Sequence, residues 1–495
     1  MNRFVCIHGH FYQPPRENPW LEAITHQESA YPFHDWNERI NAECYAPNTQ
    51  ARILGEKGSV IRTVNNYSRM SFDFGPTLLS WMESKAPDTY QAILDADAVS
   101  LKNFSGHGSA IAQCYSHMIM PLANSRDKYT QVYWGIRDFE FRFKRFPEGM
   151  WLPETAVDLE TLQIMADQGI RFTILAPHQA GKLLANAEKP GQIEELDIYR
   201  PYRIGLQPGK SIDVFFYNGP LSQSLAFENL LHDGKSFAEK LIQTDISKDP
   251  HLLSIATDGE TYGHHHKFGD MALAFALQYI DDHVDSRLTN YAEYLEKFPP
   301  EQEIEIGERT SWSCTHGVAR WSIHCGCHTG GHPDWSQHWR APLRHALDWL
   351  QCRLDAIFTD LGKDLFKDPW QARNLYINIR LNPCDRDSFL AEQSRRVLEK
   401  AETVVAINLL ELQRHSMLMY TSCGWFFNDI SGIETEQILL YAGRALQLAE
   451  ELSGDSLEPH FLRLLKLAES NVSEKGNGAQ IYQNVIKTAT MEVPA

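Results

Sequence analysis

No run of about 18 apolar residues occurs in this sequence, so it has no candidate membrane-spanning helix. Basic residues are in the minority. Lys and Arg number 46 against 64 Asp and Glu, a formal net charge of −18. Nucleic acid and anionic membrane surfaces need clustered cations, so both are set aside as partners. The N-terminal stretch MNRFVCIHGHFYQPP has no apolar segment of signal-peptide length behind a basic start. The nine cysteines are an odd number scattered over 495 residues and suggest no disulfide framework. They read as reduced thiols in a cytoplasmic protein. There is no internal repeat and no low-complexity segment.

What is present suits a large globular protein. Hydrophobic residues make up 43% and charged residues 22%. The length fits one large catalytic domain with one or two smaller ones. With 12 Trp and 19 Tyr, flat aromatic faces are available for stacking, although most aromatics serve the core.

Short apolar runs ending in Gly- or Pro-marked loops recur down the first 295 residues. Phe4–Ile7 delivers His8 and His10 into HGHFYQPP. Met70–Phe74 stops at Gly75-Pro76. Asn103-Phe104 opens into a glycine-flanked His107 and reads as a strand end. Gly149–Leu152 is broken by Pro153 and presents Glu154. Phe172–Ala176, Ile212–Tyr217 and Leu252–Ala256 follow. Helical stretches lie between them, notably Asp127–Arg145 and Val157–Gly169. Seven strand-like runs alternating with helices predict an α/β fold with a parallel sheet. The pattern alone fits an incomplete barrel and a doubly wound sheet about equally. From about residue 340 the texture becomes helical, with periodic stretches over 341–359, 388–416 and 432–452. The expected division is residues 1–300, a loop-rich linker over 301–340, and a helical domain over 341–495.

Two strand ends carry carboxylates. Glu154 follows one, and the run LSIATDGETYGHHH places Asp258 and Glu260 at another. In α/β barrels the C-terminal mouth of the strands is where chemistry sits. A pair of carboxylates across a cleft is what glycosidic bond cleavage requires. One attacks the anomeric carbon or activates water, and the other protonates the leaving oxygen. Trp151 and Tyr262 stand beside the pair as candidate sugar-stacking surfaces. Strand-end acids also serve as helix caps and ion-pair partners, and His8 with His10, taken alone, reads better as a pair of partly buried histidines satisfied by the backbone.

Four blocks taken together resemble glycoside hydrolase family 57, in that family's order. HGHFYQPP resembles its H-x-H-x-P motif, with Phe11-Tyr12 lengthening the gap. SGHGSA more loosely resembles the second. MWLPE resembles the third, and ATDGETYG the fourth. The resemblance implies an incomplete (β/α)7 barrel followed by a mainly helical C-terminal region. It implies retaining double displacement on an α-1,4-glucan or malto-oligosaccharide, by hydrolysis or transglycosylation. Glu154 is then the nucleophile and Asp258 the acid/base. His8, His10 and His107 would line the sugar site, with Trp151, Glu260, Tyr262 and His264. Trp312 and Trp321, from a candidate fifth block, and Trp425 and Asp429, from TSCGWFFNDISGIET, are the remaining candidates. Glu260, two residues beyond Asp258, is expected to support rather than react. No cofactor and no metal are implied, and oligomeric state is left open.

Two rival readings stand. His8, His10, Asp258 and His264–His266 are a possible hard-ligand set for a metal-dependent deacetylase or mannosidase. A non-catalytic carbohydrate-binding protein is the other. His324-Cys325-Gly326-Cys327-His328 looks like a metal clip, but C-x-C is tighter than the usual C-x2-4-C, and the run reads as a Gly-rich loop with reduced thiols.

Overall fold

A computed structural model describes residues 3–55, 57–184, 195–244 and 251–491. It separates into two compact units. The first comprises residues 1–13, 26–114 and 139–308; the second comprises 14–25, 115–138 and 309–495.

The first unit is built on parallel strands. We number them β1 (Arg3–Phe11), β2 (Ser71–Phe74), β3 (Ala112–Gln113), β4 (Met150–Trp151), β5 (Phe172–Leu175), β6 (Ser211–Phe216) and β7 (His251–Asp258). β1 pairs with β7 on one side and β2 on the other, both parallel. A parallel bridge, Phe72↔Ala110, leads from β2 towards β3, and β3 pairs with β4. A second bridge, Gly149↔Phe172, leads to β5, which pairs with β6. Just beyond β6, the Asn218 amide donates to the Ser254 carbonyl of β7 at 2.7 Å.

Strands covered on both faces read as near-continuous apolar runs, and a polar side chain within one, such as Asp73 of β2, needs a partner. β2, β3, β4 and β5 are buried along their whole length, and β7 is buried up to Asp258. The intervening helices start where short polar side chains cap them. Asp158 accepts from the Thr161 amide, Asn218 from Leu221, and Asp233 from Lys235 and Ser236.

Helices separate most of these strands, as expected, but among the described residues no α-helix lies between β5 and β6, where strands Ala180–Leu183 and Tyr202–Gly205 stand instead, the latter antiparallel to β6. A second correction concerns the third predicted run. Asn103 is not a strand end; it closes the helix α1 (Pro87–Asn103). The strand in that position is β3, nine residues later. The Asn103-Phe104 pair is compatible with either element, and the 17-residue helical stretch that ends at Asn103 decides the outcome.

The second unit is mainly helical. Its longest helices are α2 (Arg340–Leu365), α3 (Lys400–Leu418) and α4 (Ile433–Ser453). Gly454, at φ 76°, ends α4 in the left-handed region. The single stretch expected over 388–416 is two helices, Arg386–Gln393 and α3. Ser394 leaves the first to form a bridge with Phe366, and Glu399 with Glu402 makes a capping box that starts α3 afresh. Among the described residues, no helix is long and apolar enough to cross a membrane.

Candidate active site

β1 is the axis of the site. His8 and His10 are two residues apart on one strand and so share a face. In register, His8 lies opposite Ser71 of β2 and His10 opposite Asp73. Asp73 bridges the two rings, with Oδ1 3.1 Å from His8 Nε2 and Oδ2 2.8 Å from His10 Nδ1. The other nitrogen of His8 lies 3.0 Å from Ser71 Oγ. All four side chains are buried.

The same carboxylate leaves the two imidazoles in different states. Burial lowers the pKa of His8, and Asp73 does not fully offset it. Burial also works against protonation of His10, but Asp73, Asp258 and Glu260 together raise its pKa above the ordinary histidine value. His8 is thus biased to neutral and His10 to cationic.

Trp151 of β4 packs against both rings. Its ring centroid lies 4.9 Å from His8 and 5.0 Å from His10, at interplanar angles of 22° and 20°. Trp151 is fully buried, so it serves as a support for the histidines. Three residues on, the chain turns sharply. Glu154 has φ 58° and ψ 21°, and Thr155 has φ 49°. Non-glycine residues are rare in this left-handed region, and a β-branched one there is strained. Buried Gln179 holds the turn in place. It accepts from Thr155 Oγ1 at 2.7 Å, and its amide donates to the Thr155 carbonyl at 2.8 Å. The consequence is a half-buried Glu154 presented just past a strand end.

Asp258 is the last residue of β7 and pairs with His10 in register. Its side chain reaches solvent at the strand tip, although protein surrounds it closely. That surrounding, more than any other cause, raises its carboxyl pKa; His10 lowers it and Asp73 raises it. The Tyr217 hydroxyl, just past β6, is pushed up by burial and by the charge of Asp258. Gly259 follows because nothing larger fits: a Cβ there would stand 2.2 Å from the ring of Phe11.

Glu260 is buried, and burial pushes its carboxyl up to about 7. It accepts hydrogen bonds from the Tyr45 hydroxyl and, at 3.2 Å, from the Tyr12 amide. Both bonds fall on the same carboxylate oxygen, Oε1.

The other sequence candidates divide. Tyr262 is fully buried and takes a hydrogen bond from Thr257 at 3.2 Å; it is a core residue. His264 bonds Glu43. His107 does not join the group. It precedes β3 rather than following it, and each ring nitrogen lies 2.9 Å from a carboxylate, Glu148 on one side and Glu296 on the other. In the second unit, Trp321 and Trp425 are buried and Trp312 is half-buried. Asp429 has both oxygens committed, to Ser431 and Ser470 on one and to the Asn471 backbone and side chain on the other.

Asp73, Tyr45 and Gln179 were missed from the sequence. Asp73 carried a usable signal, as an acid inside the predicted strand SFDFGP. Tyr45 lies in an irregular polar stretch that gives none. The ligand set of the metal-enzyme rival is not assembled. Among the described residues, the one group of ligand-type side chains gathered on a point is Cys314, His316, Cys325 and Cys327.

Comparison with known proteins places the chain in a family. The model described as "Glycosyl hydrolase family 57" matches residues 7–307. A second, described as "Domain of unknown function (DUF3536)", matches 335–495. No curated protein matches. Among solved structures, an exo-type maltose-forming amylase from Pyrococcus sp. ST04 superposes with a TM-score of 0.70 at 16% identity, over 94% of this chain and 82% of that one. A branching enzyme from Pyrococcus horikoshii gives 0.53 at 15% identity, over 99% and 95%. A 4-alpha-glucanotransferase from Thermococcus litoralis gives 0.53 at 15% identity, over 90% and 59%.

Proposed function

We propose that this chain, which belongs to glycosyl hydrolase family 57, is a retaining α-glucan-active enzyme that cleaves or transfers glucosyl units by double displacement. Glu154 attacks the anomeric carbon while Asp258 protonates the departing oxygen. Asp258 then takes a proton from water, or from an acceptor sugar, as it attacks the glycosyl–Glu154 ester. We read β1–β7 as the strands of a (β/α)7 barrel incomplete between β6 and β7, with the reacting groups at its C-terminal mouth.

The observation that carries this reading is the coupling of the two strand ends through one histidine. His10 is the register partner of Asp258 and stacks on Trp151, three residues before Glu154. The electrostatics suit the division of labour. A general acid must hold its proton near working pH, and Asp258 is raised in pKa. Charged His10, fixed by Asp73, offers a cationic contact to sugar hydroxyls, while His8, buried with its ring nitrogens engaged by Ser71 and Asp73, holds that carboxylate in place. The structural relatives include maltose-forming, branching and glucanotransferase enzymes, which supports α-glucan as the substrate class.

The test is incubation with maltoheptaose, followed by chromatography and by proton NMR of the first products. Shorter products alone mean hydrolysis; shorter and longer products together mean transfer. Initial release of the α-anomer means retention. Glu154→Gln should lose about 10³-fold or more in kcat, and Asp258→Asn about 10²- to 10⁴-fold. Turnover surviving in both variants, or initial release of the β-anomer, would sink the assignment.

A further inference from the structure

We propose that Cys314, His316, Cys325 and Cys327 form a structural zinc site in the second unit, independent of the sugar chemistry. The argument begins with distances. Cys314 Sγ lies 3.9 Å from Cys325 Sγ and 3.8 Å from Cys327 Sγ, and Cys327 Sγ lies 3.5 Å from His316 Nδ1. All four donor atoms fall within 4.8 Å of one another. Tetrahedral zinc with Zn–S of about 2.3 Å and Zn–N of about 2.1 Å sets sulfur–sulfur edges at about 3.8 Å and sulfur–nitrogen edges at about 3.6 Å. The observed edges match. They are far too long for a disulfide, whose sulfurs stand about 2.05 Å apart.

Sequence spacing alone argued against this, because C-x-C is short for a zinc clip. The structure resolves the objection by supplying the other two ligands from a C-x-H pair eleven residues upstream. Gly326, at φ +85°, sits between the two thiols and lets both turn inward. Gly317, next to His316, is also left-handed, and a Cβ there would stand 2.4 Å from the Arg309 carbonyl.

Charge points the same way. Arg320 and Arg340 are buried, and each has an Nε without a hydrogen-bond partner. Among the described residues their remaining donors reach only backbone carbonyls: Ser313 for Arg320, and Cys327, Phe426 and Phe427 for Arg340. A buried guanidinium with no carboxylate needs another counter-charge. Three thiolates around a divalent zinc ion leave one negative charge over and supply it.

The site also explains how the surrounding segment holds its shape. Between residue 309 and α2 the only regular element is the single 3₁₀ turn Ala319–Trp321. Much of 322–338 is exposed. A stretch with so little core is the setting in which a metal replaces hydrophobic burial. It is tied to the segment carrying Trp425 and Asp429 by hydrogen bonds between Asn428 and Thr329 and Gly330.

The experiment uses the full chain, purified under reducing conditions and measured by inductively coupled plasma mass spectrometry. One equivalent of zinc per chain is expected. It should be lost in Cys325→Ser/Cys327→Ser and kept in Cys352→Ser, which changes an exposed thiol. Wild-type chain stripped with a chelator and loaded with cobalt should show thiolate-to-metal charge transfer and the strong visible bands of tetrahedral cobalt. This readout decides the matter even if the double variant does not fold. Absence of both bound zinc and cobalt bands would overturn the proposal. So would full zinc content in a folded double variant.

Discussion

The indole of Trp151 lies 5.0 Å from the imidazole of His10, nearly parallel to it. This one contact joins the loop carrying Glu154 to the strand pair carrying Asp258. Trp151 is fully buried and stacks on His8 as well, so it fixes two rings at once. Trp151→Phe keeps an aromatic but shortens the platform. A misplacement of about 1 Å at a reacting centre typically lowers rate about 100-fold. We expect kcat on maltoheptaose to fall by about that factor while circular dichroism stays native. Unchanged kcat would mean that the histidines hold their positions without the indole.

The pH profile should separate Asp258 from Glu260. Asp258 is raised by burial, so it stays protonated to higher pH than an ordinary carboxyl, and activity is lost on the alkaline side as it ionises. Charged His10 favours that ionisation. His10→Gln removes the charge and should move the alkaline limb of kcat/KM to higher pH. Glu260 is the competing group, with its carboxyl near 7. If Asp258 is the acid, Glu260→Gln retains an alkaline limb. A limb that disappears in Glu260→Gln would transfer the acid role to Glu260.

His107 is the case where the sequence misled. A glycine-flanked histidine after Asn103-Phe104 looks like a strand end, but the 17 residues ending at Asn103 make a helix, and the histidine falls before β3. Its partners Glu148 and Glu296 lie 41 and 189 residues away, beyond the reach of any local pattern. Burial alone would lower its pKa, but the two carboxylates raise it. A raised histidine stabilises the fold below its unfolded pKa, and the contribution is lost as pH rises through the folded value. His107→Gln should therefore cost stability at pH 6, by about 1 kcal/mol or less because the pairs are partly exposed, and little at pH 9. Denaturant titration at the two pH values reads this. Activity within about twofold of wild type is expected; a large loss of kcat would return His107 to the site.

The parts legible in advance were those written in local chemistry. Pro153 and Gly259 mark where strands stop, and the acids beside them are the ones presented. Asp73 was half legible, since it sits in a recognised strand but shows its role only through two rings on β1. Tyr45 and Gln179 were not legible. Tyr45 reaches Glu260 across 215 residues. Gln179 acts on Thr155 through a buried clamp whose need arises only from the left-handed turn. Buried Tyr262, Trp321 and Trp425 show the same limit from the other side, because aromatic residues near a motif look alike whether they face a sugar or the core.

Glu154 offers the most direct test of strain kept for chemistry. Its φ of 58° is one that glycine adopts freely and other residues adopt at a cost of about 1–2 kcal/mol. Glu154→Gly should abolish glucan cleavage and yet stabilise the fold by about 1 kcal/mol, read as a higher denaturant midpoint with an unchanged slope. The missing carboxylate also leaves room for a small anion. Azide entering from that face of the sugar, with Asp258 still protonating the leaving oxygen of an activated aryl α-glucoside, would give the β-glucosyl azide. That product requires that the lost side chain was the nucleophile. A Glu154→Gly chain that is less stable than wild type and forms no azide adduct would mean that Glu154 neither bears the strain nor attacks the sugar.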